Sequence, residues 1–339
     1  MARVWILGDG MRKLAASLLL CAACAVPSLA DDGSAQLAAG GIVFVKSADI
    51  RMAKEDLYLS PDKVSIRFEF QNTGADQDVT IAFPLPDLDI EDFQGEEIGT
   101  VTDDPINFVG FTAKVDGKPV AFQVEQKAFI KDRDVSAIVR GAGLPLNLIA
   151  RGGYDKLDKL SDAQKKALAK AGVVDYADNH AEPLWTVRTR FYWTQHFPAG
   201  KTLVIDHGYK PITGGGQYYD SADAPARPED WSKPFCFDPG TQALLRKMLA
   251  NPKLRGKDGD FAMTAGGPLW AYTTDYILKS ANTWKGPIGH FHLTLDKTDP
   301  RAVLSLCWNG NLKKTAPTLF NFDADNFTPT QDIHMLVLK

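Results

Sequence analysis

Between Trp185 and Trp193 the chain alternates without interruption, with Trp185, Val187, Thr189, Phe191 and Trp193 on one side and Thr186, Arg188, Arg190 and Tyr192 on the other. Successive side chains of an extended chain point to opposite faces, so this pattern predicts a strand with one face in a core. Ser65 to Phe70 repeats it, with Ile66, Phe68 and Phe70 opposite Ser65, Arg67 and Glu69, and Asp76 to Phe83 and Phe108 to Val115 behave alike. Asn72, Thr73 and Gly74 supply one turn, and Asp116, Gly117 and Lys118 another, the Asp-Gly pair favouring a tight hairpin. Thr202 to Tyr209, reached through Pro198, Ala199 and Gly200, reads as the second arm of a β-hairpin begun at Trp185.

A different pattern interrupts these strands between residues 132 and 184, where alanine, lysine and leucine recur at helical spacing. Ser161 with Gln164 forms a capping-box pattern for a helix that Gly172 ends, with Leu160, Ala163, Ala167 and Leu168 as its apolar face, and a shorter helix is expected near Val135 to Arg140. Residues 213 to 234 are rich in Gly, Pro, Asp and Ser and read as a boundary or long surface loop. Beyond it come a helix at Thr241 to Ala250 and strands near residues 270–278, 289–295, 302–308 and 333–338. Many short strands with Gly and Pro turns point to a mainly β fold of two antiparallel β-sandwich lobes with a small helical insert. The expected division is 31–131 plus 185–212 for the first lobe, 132–184 for the insert and 213–339 for the second β-rich lobe.

The first thirty residues have the form of a secretory signal: basic Arg12 and Lys13, an apolar run from Leu14 to Val26, and small Ser28 and Ala30 before a cut after Ala30. The run is about a dozen residues against the roughly twenty that span a bilayer, so no transmembrane anchor is expected. Met1 or Met11 could be the start, with the same mature chain. Cys21 has Leu20 before it and Cys24 has Cys21 in the leucine place, which departs from a lipoprotein signal. Cleavage leaves Cys236 and Cys307, an even pair in the periplasm, and predicts a disulfide. It also removes Arg3, Arg12, Lys13 and Asp9, taking the net charge from −4 to about −6. That mildly acidic surface has no basic stripe for phosphates, so nucleic acid is excluded as a partner class.

Two stretches carry a family likeness. FPLPDLDIEDF from Phe83, FTAKVDGKPV from Phe111 and FPAGKTLVIDHGYKP from Phe197 are similar to the opening β-sandwich of inter-alpha-trypsin-type secreted proteins, without the metal-binding domain that follows there. LAAGGIVF near Leu37, the same FPLP run, FYWTQHFPAGK from Phe191 and NTWKGPIGHFHLTLDK from Asn282 resemble a family of exported proteobacterial proteins known as a domain of unknown function. This second likeness spans nearly the whole mature chain. It implies export and architecture, and no activity.

Three groups of residues are candidates for a site. His290 and His292 stand two apart on a strand, so both imidazoles share a face and can begin a zinc or copper site, or simply face solvent. Asp87, Asp89 and Glu91 open an acidic segment running to Asp104; an EF-hand begun at Asp87 would need glycine at Asp92 and glutamate at Ile98, leaving an irregular Ca²⁺ site or a solvated loop. Tyr218, Tyr219, Trp231 and Trp284 could stack on sugars or hold a peptide, or pack at sandwich edges. The chain has no G-x-S-x-G, no H-E-x-x-H and no phosphate loop at Gly214 to Gly216, so no cofactor is expected. The leading expectation is a non-enzymatic periplasmic binding or scaffold protein that recognises an envelope protein or polymer through its loops. The alternatives are a secreted hydrolase of envelope polymers using an unrecognised acid/base pair, and a metal-handling protein.

Overall fold

The computed structural model describes residues 32–38, 41–93, 101–218, 231–254 and 269–339. The expected signal peptide and its cut after Ala30 lie outside the described residues, as does Tyr219. Two large sheets face one another. One has the spatial order Arg133–Asp134, Gln123–Ile130, Thr186–Phe197, Gln77–Pro84, Gly33–Ala38, Gly41–Phe44, with Leu88–Asp89 also paired to Thr186–Phe197. The other runs Lys313–Lys314, Leu319–Phe327, Ile288–Asp296, Ile50–Leu59, Val64–Asn72, Thr202–Tyr209, Thr112–Val115, Lys118–Pro119.

The alternating apolar positions meet between these sheets. Phe68, Phe70 and Ile205 of the second sheet and Ile81, Phe83, Phe191 and Phe197 of the first are all fully buried in one core. Phe70 meets Phe197 edge-on at 6.3 Å between ring centroids. Phe111 stacks on Phe191 at 4.3 Å. Aromatic pairs of this kind add about 0.5–1.5 kcal/mol each beyond area burial.

This facing arrangement overturns the hairpin expected at Trp185 to Tyr209. Thr186–Phe197 pairs with Gln77–Pro84 and Gln123–Ile130, whereas Thr202–Tyr209 pairs with Val64–Asn72 and Thr112–Val115. Each strand has one apolar face, and the two faces bury each other only if the chain crosses from sheet to sheet at Pro198–Gly200, where Gly200 takes a positive φ of 67°. A second crossing lies directly beside it, between Val64–Asn72 and Gln77–Pro84. Buried Asn72 stitches the two together: its amide donates to the carbonyls of Ala75 and Phe197, and its backbone N–H donates to Lys201. The Asp116-Gly117 turn is as expected, with positive φ at both residues.

The division expected at residues 212/213 also needs correction. Ile288–Asp296 pairs in parallel with Ile50–Leu59, from Lys54 beside His290 to Leu59 beside Leu295. Leu319–Phe327, not foreseen as a strand, continues the same sheet. The large sheet therefore contains strands from both expected lobes and one parallel pair. The parallel pairing places Gly289 against a bulge at Ala53: a Cβ there would sit 2.4 Å from the Ala53 carbonyl oxygen.

A smaller sheet accompanies the two large ones. Gly214–Tyr218, Leu269–Tyr276, Ile333–Leu338 and Val303–Ser305 make a four-stranded sheet. Its Tyr276, Ile333, Met335 and Val337 join the main core, while Leu269, Ala271, Leu336 and Leu338 meet Leu245 and Met248 of the Pro239–Ala250 helix in a second core. Burial on both faces explains why Met335 to Leu338 is continuously apolar, where a half-buried strand would alternate. Cys236 and Cys307 are disulfide-bonded, with Cα atoms 5.1 Å apart, joining the segment before this helix to the segment after Val303–Ser305.

The insert holds helices Ser136–Gly141, Gly153–Asp158 and Asp162–Lys170 and the hairpin Val174–Ala177/His180–Pro183. The Ser161–Gln164 capping box forms and Gly172 has a φ of 66°. The buried face of the Asp162–Lys170 helix is Lys165 and Leu168, and Ala163 and Ala167 are exposed.

Candidate functional site

The Phe83–Phe93 run closes one end of the main sandwich. After Pro84 it leaves its strand, pairs briefly through Leu88–Asp89 with Thr186 and Val187, and turns at a short 3-10 helix, Glu91–Phe93. Leu85, Leu88 and Ile90 are buried and alternate with exposed Asp87 and Asp89. Proline at 84 and 86 withholds two ladder donors, which frees this segment from full pairing and lets it arch over the sandwich edge.

Beneath the arch lies a cavity of about 170 Å³, between this run, the end of Thr202–Tyr209 and the first two strands of the small sheet. Its apolar wall includes Leu85, Phe93, Phe108, Val109, Pro211 and Ile212. Its polar groups are Tyr209, Thr273 and the carboxylates Asp87, Asp89 and Asp275. The carboxylates are exposed and form a rim, whereas Tyr209 is 6% exposed and packs its ring edge-on against Phe83.

The Tyr209 hydroxyl is sealed from the cavity and, like that of Thr274, has no hydrogen-bond partner among the described residues. Such a group costs about 1–3 kcal/mol unless something satisfies it. Burial, with the nearby charge of Asp275, pushes the phenol above its ordinary range, so it stays neutral. The rim carboxylates are anchored from outside. Arg188 Nε donates to Asp87 at 3.0 Å while its guanidinium lies over the Phe129 ring. His334 Nδ1 meets Asp275 at 3.0 Å. Asp89 accepts the backbone N–H of Glu91.

Asp87 and Asp89 are thus brought together at a cavity mouth, with Glu91 exposed beside them. Tyr209 and Asp275 were not singled out by sequence. Tyr209 carries one sequence signal, a phenol on the inward side of the Leu203, Ile205, His207 alternation. Asp275 became part of the site only when Leu269–Tyr276 was packed beside the arch.

His290 and His292 do project from one face while Phe291, Leu293 and Leu295 are buried. Each meets a carboxylate on the neighbouring strand: His290 Nδ1 reaches Asp325 at 2.8 Å and His292 Nδ1 reaches Asp323 at 2.6 Å. The row continues across the sheet through Asp56, Arg67, Asp206 and Lys114, so carboxylates and basic side chains alternate across five successive strand pairs. On the same face Tyr58 donates to Asp296 at 2.7 Å, and burial together with that bond pushes its hydroxyl up to about 12. Among the described residues no group of three or more His, Cys, Asp or Glu side chains could hold a metal ion.

The three described aromatic candidates pack against the two cores. Trp284 is fully buried, its indole donating to the Asp32 carbonyl and its ring 4.6 Å from Phe70, so its expected place on a ligand-binding surface is corrected to the core. Trp231 stacks on Phe235 at 5.8 Å and Tyr218 meets Phe237 edge-on at 6.1 Å, both against the second core.

The fold and cavity define a class: a mainly β, disulfide-linked chain with facing sheets and a partly apolar cleft at one end. The chain belongs to the family described as Domain of unknown function (DUF4424), whose model matches residues 30–336. No functionally curated protein matches it. Among solved structures, a candidate nutrient-binding protein from Legionella pneumophila is 15% identical, with a TM-score of 0.42 over 86% of this chain and 68% of that one. An M1 zinc metallopeptidase from Deinococcus radiodurans is 8% identical, with a TM-score of 0.22 over 87% of this chain and 43% of the enzyme, so this chain spans less than half its length. Neither score is high enough to bear on what the chain does. Among the described residues no helix is long and apolar enough to cross a membrane.

Proposed function

We propose that this chain is an exported, periplasmic binding protein that holds a small organic molecule in the cleft beneath the Phe83–Phe93 arch. The observation that carries this reading is the cavity itself, with an apolar wall of Leu85, Phe93, Phe108, Val109 and Ile212 and the carboxylates of Asp87, Asp89 and Asp275 at its mouth. Ligand sites combine an apolar lining with a few convergent polar groups. At about 170 Å³ the space is smaller than the roughly 300–1,000 Å³ of drug-sized ligand sites and takes a molecule of only a few heavy atoms. Export rests on the signal-like first thirty residues, and the Cys236–Cys307 disulfide supports it.

The test is a thermal-shift screen of small metabolites against the mature chain and an Ile212→Trp variant, in which the larger ring fills the cleft from its half-exposed wall. A ligand at a hundred times its dissociation constant stabilises by about 2.7 kcal/mol, a shift of several degrees. Molecules that raise the melting temperature of the parent and leave Ile212→Trp unmoved support the reading. Molecules that stabilise both equally bind elsewhere and contradict it.

A further inference from the structure

Cys236 closes the Trp231–Phe237 turn in the manner of a helix end: Phe237 N–H donates to the Ser232 carbonyl and Cys236 N–H to the Lys233 carbonyl. That geometry puts Cys236 in the left-handed region, at a φ of 53°, a place glycine usually takes because a residue with a Cβ is strained there. Buried Phe235 and Phe237 on either side sit in the second core, and Ser305 Oγ donates to the Phe235 carbonyl at 2.8 Å. Cys307 is held separately, its carbonyl accepting from Gln331 Nε2 at 2.6 Å. Each backbone is thus fixed by contacts that do not pass through the sulfur–sulfur bond. Cys236 is exposed and Cys307 half-buried, so a thiolate can reach the bridge while the chain stays folded. Cys307 Sγ lies 3.4 Å from the Pro234 carbonyl oxygen, to which a disulfide sulfur has no hydrogen to give and a thiol has one.

We propose that Cys236–Cys307 is a reversible redox site, opened and closed in the folded protein by a dithiol/disulfide partner. A thiolate of the partner attacks Cys236 Sγ, forming a mixed disulfide as the Cys236–Cys307 bond breaks. The electron pair of that bond goes to Cys307, whose sulfur takes a proton and then donates a hydrogen bond to the Pro234 carbonyl. The partner's second thiolate attacks the partner sulfur of the mixed disulfide, and Cys236 leaves as a thiolate and is protonated. Two electrons have then passed from the dithiol, which ends as a disulfide. Exposure and strain are what separate exchangeable disulfides from inert ones, and both fall on Cys236. Because Gln331, Ser305 and the second core keep the two backbones in place, an oxidant closes the same bridge again.

The test incubates the oxidised mature chain in native buffer with graded dithiothreitol, blocks free thiols with a maleimide, and follows the fold by near-ultraviolet circular dichroism. A tenfold rise in dithiothreitol is expected to speed reduction about tenfold, with the aromatic spectrum kept and the bridge restored by oxidised glutathione. With reduced glutathione as the reductant and an early quench, peptide mass spectrometry should find glutathione on Cys236. A bridge that stays closed until denaturant is added, or a reduction rate that levels off at the rate of unfolding, overturns the proposal. So does a reduced chain that loses its aromatic spectrum, or glutathione found on Cys307 instead.

Discussion

Among single residues, Asp32 and His207 are the least expected part of this structure. Their side chains are fully buried, 2.9 Å apart at the closest, with Phe68, Phe83, Phe111 and Trp193 rings around the imidazole. Burial pushes the Asp32 carboxyl up, and the charge of His207 and its hydrogen bond pull against that shift. Removing one member of such a pair costs about 3–5 kcal/mol because the other is left buried alone, whereas replacing both with apolar groups is much less harmful. His207→Leu should therefore lose about that amount in urea denaturation, and the double variant Asp32→Leu/His207→Leu should recover most of it. A single variant within about 0.5 kcal/mol of the parent would show that the pair is not holding the core. His207 was legible only as an inward position on an alternating strand. Nothing in the sequence joins it to a residue 175 positions away.

Elements show a sharper split between what local sequence encodes and what it does not. The Ser161–Gln164 box and the Asp116-Gly117 turn are satisfied by residues within a few positions, the Trp185–Trp193 alternation is written in consecutive residues, and each was legible. The partner of each strand was not, because alternation states that a face is buried and never against what. Turn residues at Pro198–Gly200 look the same whether the chain folds back on one sheet or crosses to the other. Of the cleft, the acidic residues of the arch could be read, while Tyr209 and Asp275 needed the third dimension. Two outcomes belong at this scale. The Asp275 hydrogen bond raises the His334 pKa above 6.5. Its stabilising contribution is therefore complete below about pH 6.5 and is lost as pH rises through the raised value. NMR titration should place the His334 midpoint above 6.5 and Asp275→Asn should return it; an unshifted midpoint contradicts the contact. Reducing Cys236–Cys307, 71 positions apart, should cost about 4 kcal/mol in the chain-entropy model, read as a lower denaturant midpoint in the presence of reductant.

In the whole molecule, the N-terminal segment is held by residues from the far end of the chain. Ser34 N–H donates to Thr283 Oγ1, Trp284 donates to the Asp32 carbonyl, and Ile288–Asp296 supplies the parallel neighbour of Ile50–Leu59. Residues 32–212 alone would lack these neighbours, so a fragment ending at 212 should remain unfolded by circular dichroism; a cooperatively melting fragment would restore the two-lobe division. The cleft is a product of the same long-range closure, since its walls come from the Phe83–Phe93 arch, the Tyr209 strand end and the small sheet. The most direct test of that account is a crystal structure of the mature chain soaked with a molecule selected in the thermal-shift screen. The account expects that molecule in the cleft, against Leu85, Phe108 and Ile212. A well-ordered molecule bound elsewhere, with the cleft empty, would contradict it.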